Sequence, residues 1–553
     1  MPTWDLQADV VIVGSGGAAL SAAAAVVDQG ASALLLEAAE TPGGTTRRSG
    51  GAFWIPNNSL MRAQGLADPR DGALQLMART AYPALYTPEA PFLGLPPLQY
   101  GLLAAFYDNA APAIDRLTQL GALQPVILGS YGFSPQPLSD PDYHAELPEN
   151  LAPYGRVLTA RAPPGSMQWP GVFLADGMLA HLRGKDVPVL TQHRVTGVLT
   201  NARGEVVGVE AEHEGTSRAV RARKAVVFAS GGFAHDSQKA RAFLRGPLFG
   251  SGSVPTSRGA FIDIASRLGA RLDNLANGFF YQVALEDAAA RGGEVARNDA
   301  HVFFPYGDST VVVNKQGVRV ANEKAPYHER AQTHFHWSGK DYPHLVQFMI
   351  WDEGVAQEPT FWPWRGVVPL PGQESPLVVQ AQTLAQLAQR LEERLERLRG
   401  RPFLSATVPP SLKLAPDFVS RLEETLQRFN TFAATGVDLD FHRGATALEQ
   451  AWQGPSRSTT GNRTLYPMSR TGPYYAALLG AATLDTCGGP AIGPDAQVLR
   501  TDGSAIPGLY GAGNCIASPS GQAYWGAGGT LGPAMTFGFI AGRNAARESL
   551  KEE

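Results

Sequence analysis

Val10-Val11-Ile12-Val13 runs without a break into Gly14-Ser15-Gly16-Gly17-Ala18-Ala19. The four leading residues are apolar and β-branched, the composition of a strand buried on both faces of a parallel sheet. The glycine run that follows reads G-x-G-x-x-A. Gly14 permits a tight turn, Gly16 leaves room for a pyrophosphate against the backbone, and Ala19 keeps the next helix close to the sheet. Leu20 to Gln29 is alanine-rich and predicts a helix stopped by Gly30, and Ala33-Leu34-Leu35-Leu36 predicts a second strand closed by Glu37. The result is a βαβ unit of about 30 residues with an acid about 20 residues after the glycines. It predicts a dinucleotide site. Gly14, Gly16, Gly17 and Ala18 should meet the phosphates, where a helix N-terminus offers N–H groups and the positive end of its dipole. Glu37 should accept from ribose hydroxyls and disfavour a 2′-phosphate.

The rest of the composition narrows the field. A chain of 553 residues suggests two or three domains or one composite fold. With 46 Lys+Arg against 50 Asp+Glu the net charge is −4, which offers no basic footprint for nucleic acid. A hydrophobic fraction of 44% and a charged fraction of 17% exclude a disordered chain. Cys487 and Cys515 are the only cysteines, too few for a disulfide framework or a cysteine-rich metal site. The first nine residues hold Asp5 and Asp9 and no basic run, unlike a signal peptide. No run of about 18 apolar residues occurs, so no membrane-spanning segment is expected. The expected location is cytoplasmic, with peripheral membrane contact left open.

Beyond Glu37 comes Thr41-Pro42-Gly43-Gly44-Thr45-Thr46-Arg47-Arg48-Ser49-Gly50-Gly51. An acid followed by G-G-x-(ST)-x(2)-S-G-G resembles the flavoprotein superfamily of fumarate reductase and 3-ketosteroid dehydrogenase. Ala52-Phe53-Trp54-Ile55-Pro56-Asn57-Asn58 resembles the steroid branch in particular. The resemblance implies FAD, with Gly43, Gly44, Thr45, Ser49, Gly50 and Gly51 beside the flavin and pyrophosphate. It implies further contacts at Val195, through backbone atoms to adenine, and at Ser230 and Gly231 after the strand that begins at Lys224. Gly508 to Asn514 resembles the strand closing the site, which brings in Gly513 and Asn514. Gly526 to Gly532 precedes an apolar helix, Pro533 to Ala541, whose N-terminus would set Thr530 and Leu531 against the flavin pyrimidine edge and stabilise the anionic reduced flavin. The implied fold is α/β. A discontinuous Rossmann-type FAD-binding domain, 1–290 and 471–553, holds an inserted α+β cap or catalytic domain, 291–470. Residues 43–51 contain no histidine for the superfamily's covalent linkage, so the FAD is expected to be non-covalent.

The substrate branch turns on charge. A dicarboxylate requires several cationic partners. Leu484-Asp485-Thr486-Cys487-Gly488-Gly489 lacks the histidine of the fumarate reductases, and Gly526 to Gly532 lacks their arginine. Gly521-Gln522-Ala523-Tyr524-Trp525-Gly526-Ala527-Gly528 instead resembles the 3-ketosteroid Δ1-dehydrogenases. There a tyrosine hydroxyl and a glycine N–H at this spacing grip the 3-keto oxygen and stabilise the enolate. Asn322-Glu323-Lys324-Ala325-Pro326-Tyr327 resembles their N-E-x-x-P-Y, which makes Tyr327 the candidate base. A tyrosine with an ordinary pKa of about 10 needs its phenolate stabilised. The supporting hydroxyl would come from Asp142-Tyr143-His144, where the resemblance leaves open which of Tyr143 and His144 faces the site. Arg156 matches a family Gly-Arg pair and reads as structural.

The implied reaction is Δ1-desaturation of a 3-ketosteroid by enolisation, proton abstraction and hydride transfer to flavin N5. Its alternatives are Δ4-dehydrogenation of a 3-keto-5α-steroid, or a desaturase or ene-reductase of another cyclic ketone. No second G-x-G-x-x-G unit for a nicotinamide occurs, so a quinone or other electron carrier is the expected acceptor. His334 and His336 fall short of a zinc pattern, Leu384 to Leu398 predicts an amphipathic surface helix, and Trp351, Trp362 and Trp364 read as loop-packing residues.

Overall fold

The structure is a computed structural model and describes residues 3–129, 140–166, 168–295, 301–360 and 365–552. Its first sheet grows from the opening βαβ unit. Strand Leu6–Val13 lies between Ala33–Leu36 and Thr216–Phe228, parallel to both, with Val13 opposite Leu36 on one side and Phe228 on the other. Ala505–Gly511 and Val189–Leu190 extend the parallel core outward. An antiparallel ribbon, Arg194–Thr200 and Val206–His213, leans on the Thr216–Phe228 strand. Val10, Val11 and Ile12 are wholly buried because helices cover the sheet.

Two of those helices pack unusually closely. The first, Gly17–Asp28, presents Ala18 and Ala22 to the last, Leu531–Arg547. A Cβ on Gly538 would lie 2.2 Å from the Ala18 carbonyl oxygen, and one on Gly542 would lie 2.1 Å from that of Ala22. The small residues on both helices allow this approach, and the Ser21 hydroxyl donates to the Met535 carbonyl at 2.7 Å across it. The C-terminal helix runs well past the predicted Ala541.

The second sheet is centred on the long strand Tyr474–Thr486. Antiparallel to it on either side run Gly278–Ala284 and Gln347–Asp352, and Val311–Val313 pairs with the latter. Sheet membership therefore differs from the sequence-based domain limits. Gly250–Ser251, Gly278–Ala284 and Tyr474–Thr486 were expected in the flanking FAD-binding parts and instead build the inserted unit's sheet. Leu384–Leu398 does form the expected amphipathic helix, burying Leu387, Leu391, Leu395 and Leu398. Trp351 is a buried strand residue rather than a loop residue, and Trp362 and Trp364 lie outside the described residues. His334 is a buried core histidine bonded to Gln282 and to the Leu345 carbonyl. A small sheet of Ala52–Trp54, Val157–Ala160 and Pro125–Ile127 sits beside the junction of the two large units.

Candidate active site

One continuous cavity runs from the opening glycine turn to a cluster of tyrosines between the two large sheets. At the turn, Gly14 has φ +107°, and a Cβ there would lie 2.4 Å from the Ala229 carbonyl oxygen, so only glycine lets the chain turn this close to the neighbouring strand. Gly16, Gly17 and Ala18 follow along the cavity wall. The Gly17 N–H, expected among the phosphate donors, is taken by Thr46 Oγ1 at 2.8 Å. Glu37 lines the cavity as expected. Its carboxylate accepts from the Ser15 hydroxyl at 2.5 Å and the Ala39 N–H at 2.7 Å, which fixes its direction. Gly43 does not line the cavity. Its N–H donates to Ser15 Oγ at 2.9 Å and supports the turn from behind. Val195 lines the same end from its ribbon strand.

Farther along, Gly44, Thr45, Ser49, Gly50 and Gly51 form one stretch of the wall, and Ser230, Gly231, Gly513, Asn514, Thr530 and Leu531 another. Leu531 opens the C-terminal helix, so the N-terminus of that helix lies at the cavity. Sequence reading passed over Asp485, which lies on this wall at the end of the long central strand. Its carboxylate accepts from the N–H groups of Gly232 and Thr486 and from Asn514 Nδ2, and burial pushes its pKa up to about 6 against those bonds. The glycine turn, the oriented Glu37 carboxylate and the helix N-terminus at Leu531 fit a flavin dinucleotide laid along the cavity.

At the far end the structure brings Tyr143, Tyr327 and Tyr524 together. Their ring centroids are 5.9 Å (Tyr143–Tyr327), 5.8 Å (Tyr143–Tyr524) and 5.5 Å (Tyr327–Tyr524) apart, and all three rings are buried. The Tyr327 hydroxyl is hydrogen-bonded to both other phenols. The Tyr524 oxygen also accepts from the Gly528 N–H and the Thr530 hydroxyl. Burial raises the pKa of Tyr327 well above its ordinary value, and the two neighbouring phenols raise it further. Burial raises Tyr524 as well, but there the hydrogen bonds oppose it by supporting negative charge on the oxygen. Gly528 has φ +85°, its carbonyl accepts from the Trp54 N–H at 3.1 Å, and a Cβ would lie 2.4 Å from the Phe53 nitrogen.

Tyr143, not His144, faces the cavity. His144 turns away with φ +57° and sits 3.3 Å from Glu329 Oε1. Burial draws its pKa down, but Glu146 and Glu329 outweigh that and push it up to about 10, so it is a cation at neutral pH. Tyr327 opens the helix Tyr327–Gln332. His328 joins that helix to the Tyr524 segment, with Nε2 on the Gln522 carbonyl at 2.9 Å and Nδ1 accepting from the Phe280 N–H at 3.2 Å, and burial keeps its pKa low. Arg156 is fully buried and bidentate on Asp68, and it also binds Asp142 and Asn150. Its structural role is to anchor the residue before Tyr143.

The remaining wall of this end is aromatic and was missed in the sequence. Phe303 contacts Tyr327 at 4.9 Å, Trp452 contacts Tyr143 at 5.3 Å, and Phe304 contacts Trp452 at 4.0 Å. The aromatic run from Phe303 to Tyr306 was the available signal. Val254 and Val295 complete the apolar lining. Among the described lining residues the arginines are Arg48 and Arg194. Arg48 is already engaged by the Glu294 carboxylate at 3.1 Å and the Ser253 carbonyl at 3.3 Å.

The sequence model of the FAD binding domain family matches residues 9–531. The chain is 30% identical over 331 residues to 4-oxocyclohexanecarboxylate 2-dehydrogenase of Sinomonas cyclohexanicum, covering 59% of this chain and 52% of that protein. It is 30% identical over 345 residues to 3-oxosteroid 1-dehydrogenase of Mycobacterium tuberculosis, covering 59% of this chain and 54% of that protein. The chain spans about half the length of these curated relatives. In three dimensions it matches 3-ketosteroid Δ1-dehydrogenase from Sterolibacterium denitrificans, solved with 1,4-androstadiene-3,17-dione. The TM-score is 0.78 at 25% identity, over 98% of this chain and 99% of the other. Among the described residues no helix is long and apolar enough to cross a membrane.

Proposed function

The chain belongs to the FAD binding domain family, and on that premise we propose that it is a flavin-dependent dehydrogenase that desaturates a 3-ketosteroid between carbons 1 and 2. The observation that carries this reading is the convergence of the Gly528 N–H and the Tyr524 hydroxyl, bonded to one another beside Tyr327 in a buried aromatic pocket. A ketone oxygen arriving between them receives two neutral donors. Such donors, pre-aimed in a water-poor site, stabilise the negative charge that develops as the α-carbon loses its proton.

The Tyr327 hydroxyl oxygen takes that proton. Burial holds Tyr327 protonated in the ligand-free site, so its own proton has to leave first, passing along its hydrogen bond to Tyr143 as Tyr143 releases its own phenolic proton to solvent. Bound along the glycine turn and the Thr45–Gly51 wall, FAD supplies the two-electron acceptor for the hydride lost from the β-carbon. Phe303, Phe304 and Trp452 exclude water and suit a neutral polycyclic ring. A quinone or another electron carrier serves as the final acceptor.

A smaller cyclic keto acid is the second reading, supported by the Sinomonas relative. The engagement of Arg48 by Glu294 weighs against it, because a carboxylate substrate would compete for a cation that is already paired. The test is anaerobic flavin bleaching with 4-androstene-3,17-dione, a 3-keto-5α-steroid, 4-oxocyclohexanecarboxylate and succinate, with products identified by mass and NMR. A 1,4-diene from the first steroid is the expected result. Bleaching by the 5α-steroid alone, yielding a 4-ene, would move the desaturation to carbons 4 and 5. Bleaching by the keto acid alone would replace the steroid.

A further inference from the structure

We propose that His144 is a positioning residue whose ion pair with Glu329 holds Tyr143 against Tyr327. The segment around Tyr143 is tied alternately to the inserted unit and to the small sheet. Asp140 accepts from the Trp452 indole at 2.8 Å, on the inserted unit. Asp142 accepts from the Trp54 indole at 3.0 Å, on the small sheet beside Gly528, and from Arg156 at 2.9 Å, just before the strand Val157–Ala160. His144 reaches Glu329 at 3.3 Å, on the helix that Tyr327 opens. Tyr143 thus hangs between an anchor on either side, and its edge-on contact with Tyr327 depends on both.

The pair is partly exposed, and an isolated pair of that kind contributes little to global stability. Its geometry gives it a local task instead. Glu329 lies two residues after Tyr327, and His144 lies one after Tyr143, so the pair fixes the separation of the two phenols. The charged groups facing His144 are Glu146 from its own loop and Glu329 from the helix, with His328 neutral beside them. Histidine and asparagine both tolerate the left-handed backbone that His144 adopts at φ +57°. His144→Asn therefore keeps the turn and removes the cation.

The inference rests on the proposed dehydrogenase activity for its kinetic arm, and a second arm is independent of it. In the FAD-loaded enzyme, His144→Asn and Glu329→Gln are each expected to speed amide hydrogen exchange across 140–150 by about tenfold, a local opening rather than global unfolding. The same variants should lower kcat for 4-androstene-3,17-dione by about tenfold, with KM within about twofold and FAD content unchanged. The double variant should be no worse than either single one, as expected for two ends of one contact, and His144→Arg should recover most of the loss. Unchanged exchange in both single variants, or a double variant that multiplies the two losses, would overturn the clasp. A wild-type enzyme inert to the steroid would overturn the proposed activity, and the exchange arm would still decide the clasp.

Discussion

Trp54 ties Gly528 to Asp142. Its backbone N–H donates to the Gly528 carbonyl at 3.1 Å, and its indole N–H donates to the Asp142 carboxylate at 3.0 Å. One residue thereby links the proposed ketone donor to the loop carrying Tyr143. Trp54→Phe keeps an aromatic ring against Phe106 and Trp525 and deletes the indole bond. Asp142 is buried, so losing a donor to its carboxylate should cost about 1.5–3 kcal/mol of stability. Denaturant unfolding of the FAD-loaded protein reads that cost, and turnover should fall with it because the Tyr143 loop loosens. A variant as stable and as active as wild type would show that Arg156 alone anchors Asp142.

Tyr524→Phe removes one of the two donors proposed for the ketone and leaves Gly528 in place. Experience with oxyanion-stabilising donors sets the expected loss in turnover at about 10²–10³-fold. FAD content should not change, since the Tyr524 hydroxyl bonds Tyr327, Gly528 and Thr530 rather than the glycine turn. Near wild-type turnover in a fully flavinated variant would remove Tyr524 from the proposed mechanism.

The parts of this molecule legible in the sequence are those built from local pattern. The strand, glycine turn, helix and acid from Val10 to Glu37 carry their reading within about 30 residues. The long strand Tyr474–Thr486 shows the opposite case. It is apolar on both faces, so periodicity says little, and its partners at 278–284 and 347–352 are far away in the chain. Its sheet therefore joins segments that the sequence-based limits place in different units. Tyr143 and His144 could not be told apart by spacing. What separates them is the left-handed turn at His144 and a partner, Glu329, on a distant helix. Phe303 and Phe304 sit in one segment and Trp452 in another, and only the fold brings the two to Tyr327 and Tyr143.

The pH profile tests the base. Burial and two neighbouring phenols raise Tyr327 well above its ordinary value, so its ionised form grows with pH across the whole neutral range. With Tyr327 as proton acceptor, log kcat/KM for 4-androstene-3,17-dione should climb steadily from pH 6 to pH 9 with no plateau between. Tyr327→Phe should abolish the climb along with most of the activity. A flat profile over that range would mean that the acceptor is a group already ionised at pH 6.

The charge on His144 has its own signature in stability. Its pKa stands at about 10 in the folded protein against an ordinary 6.5, because Glu146 and Glu329 favour the cation more strongly than burial opposes it. A group raised on folding binds its proton more tightly in the native state, so its contribution is complete below the ordinary value and disappears as pH rises through the folded one. His144→Asn should therefore lower the melting temperature of the FAD-loaded protein only slightly, most at pH 6, less at pH 8, and scarcely at all above pH 10. Thermal unfolding of the two proteins at those three values measures the gap. A gap that stayed constant across them would mean that the imidazole contributes by packing alone, with no share from its charge.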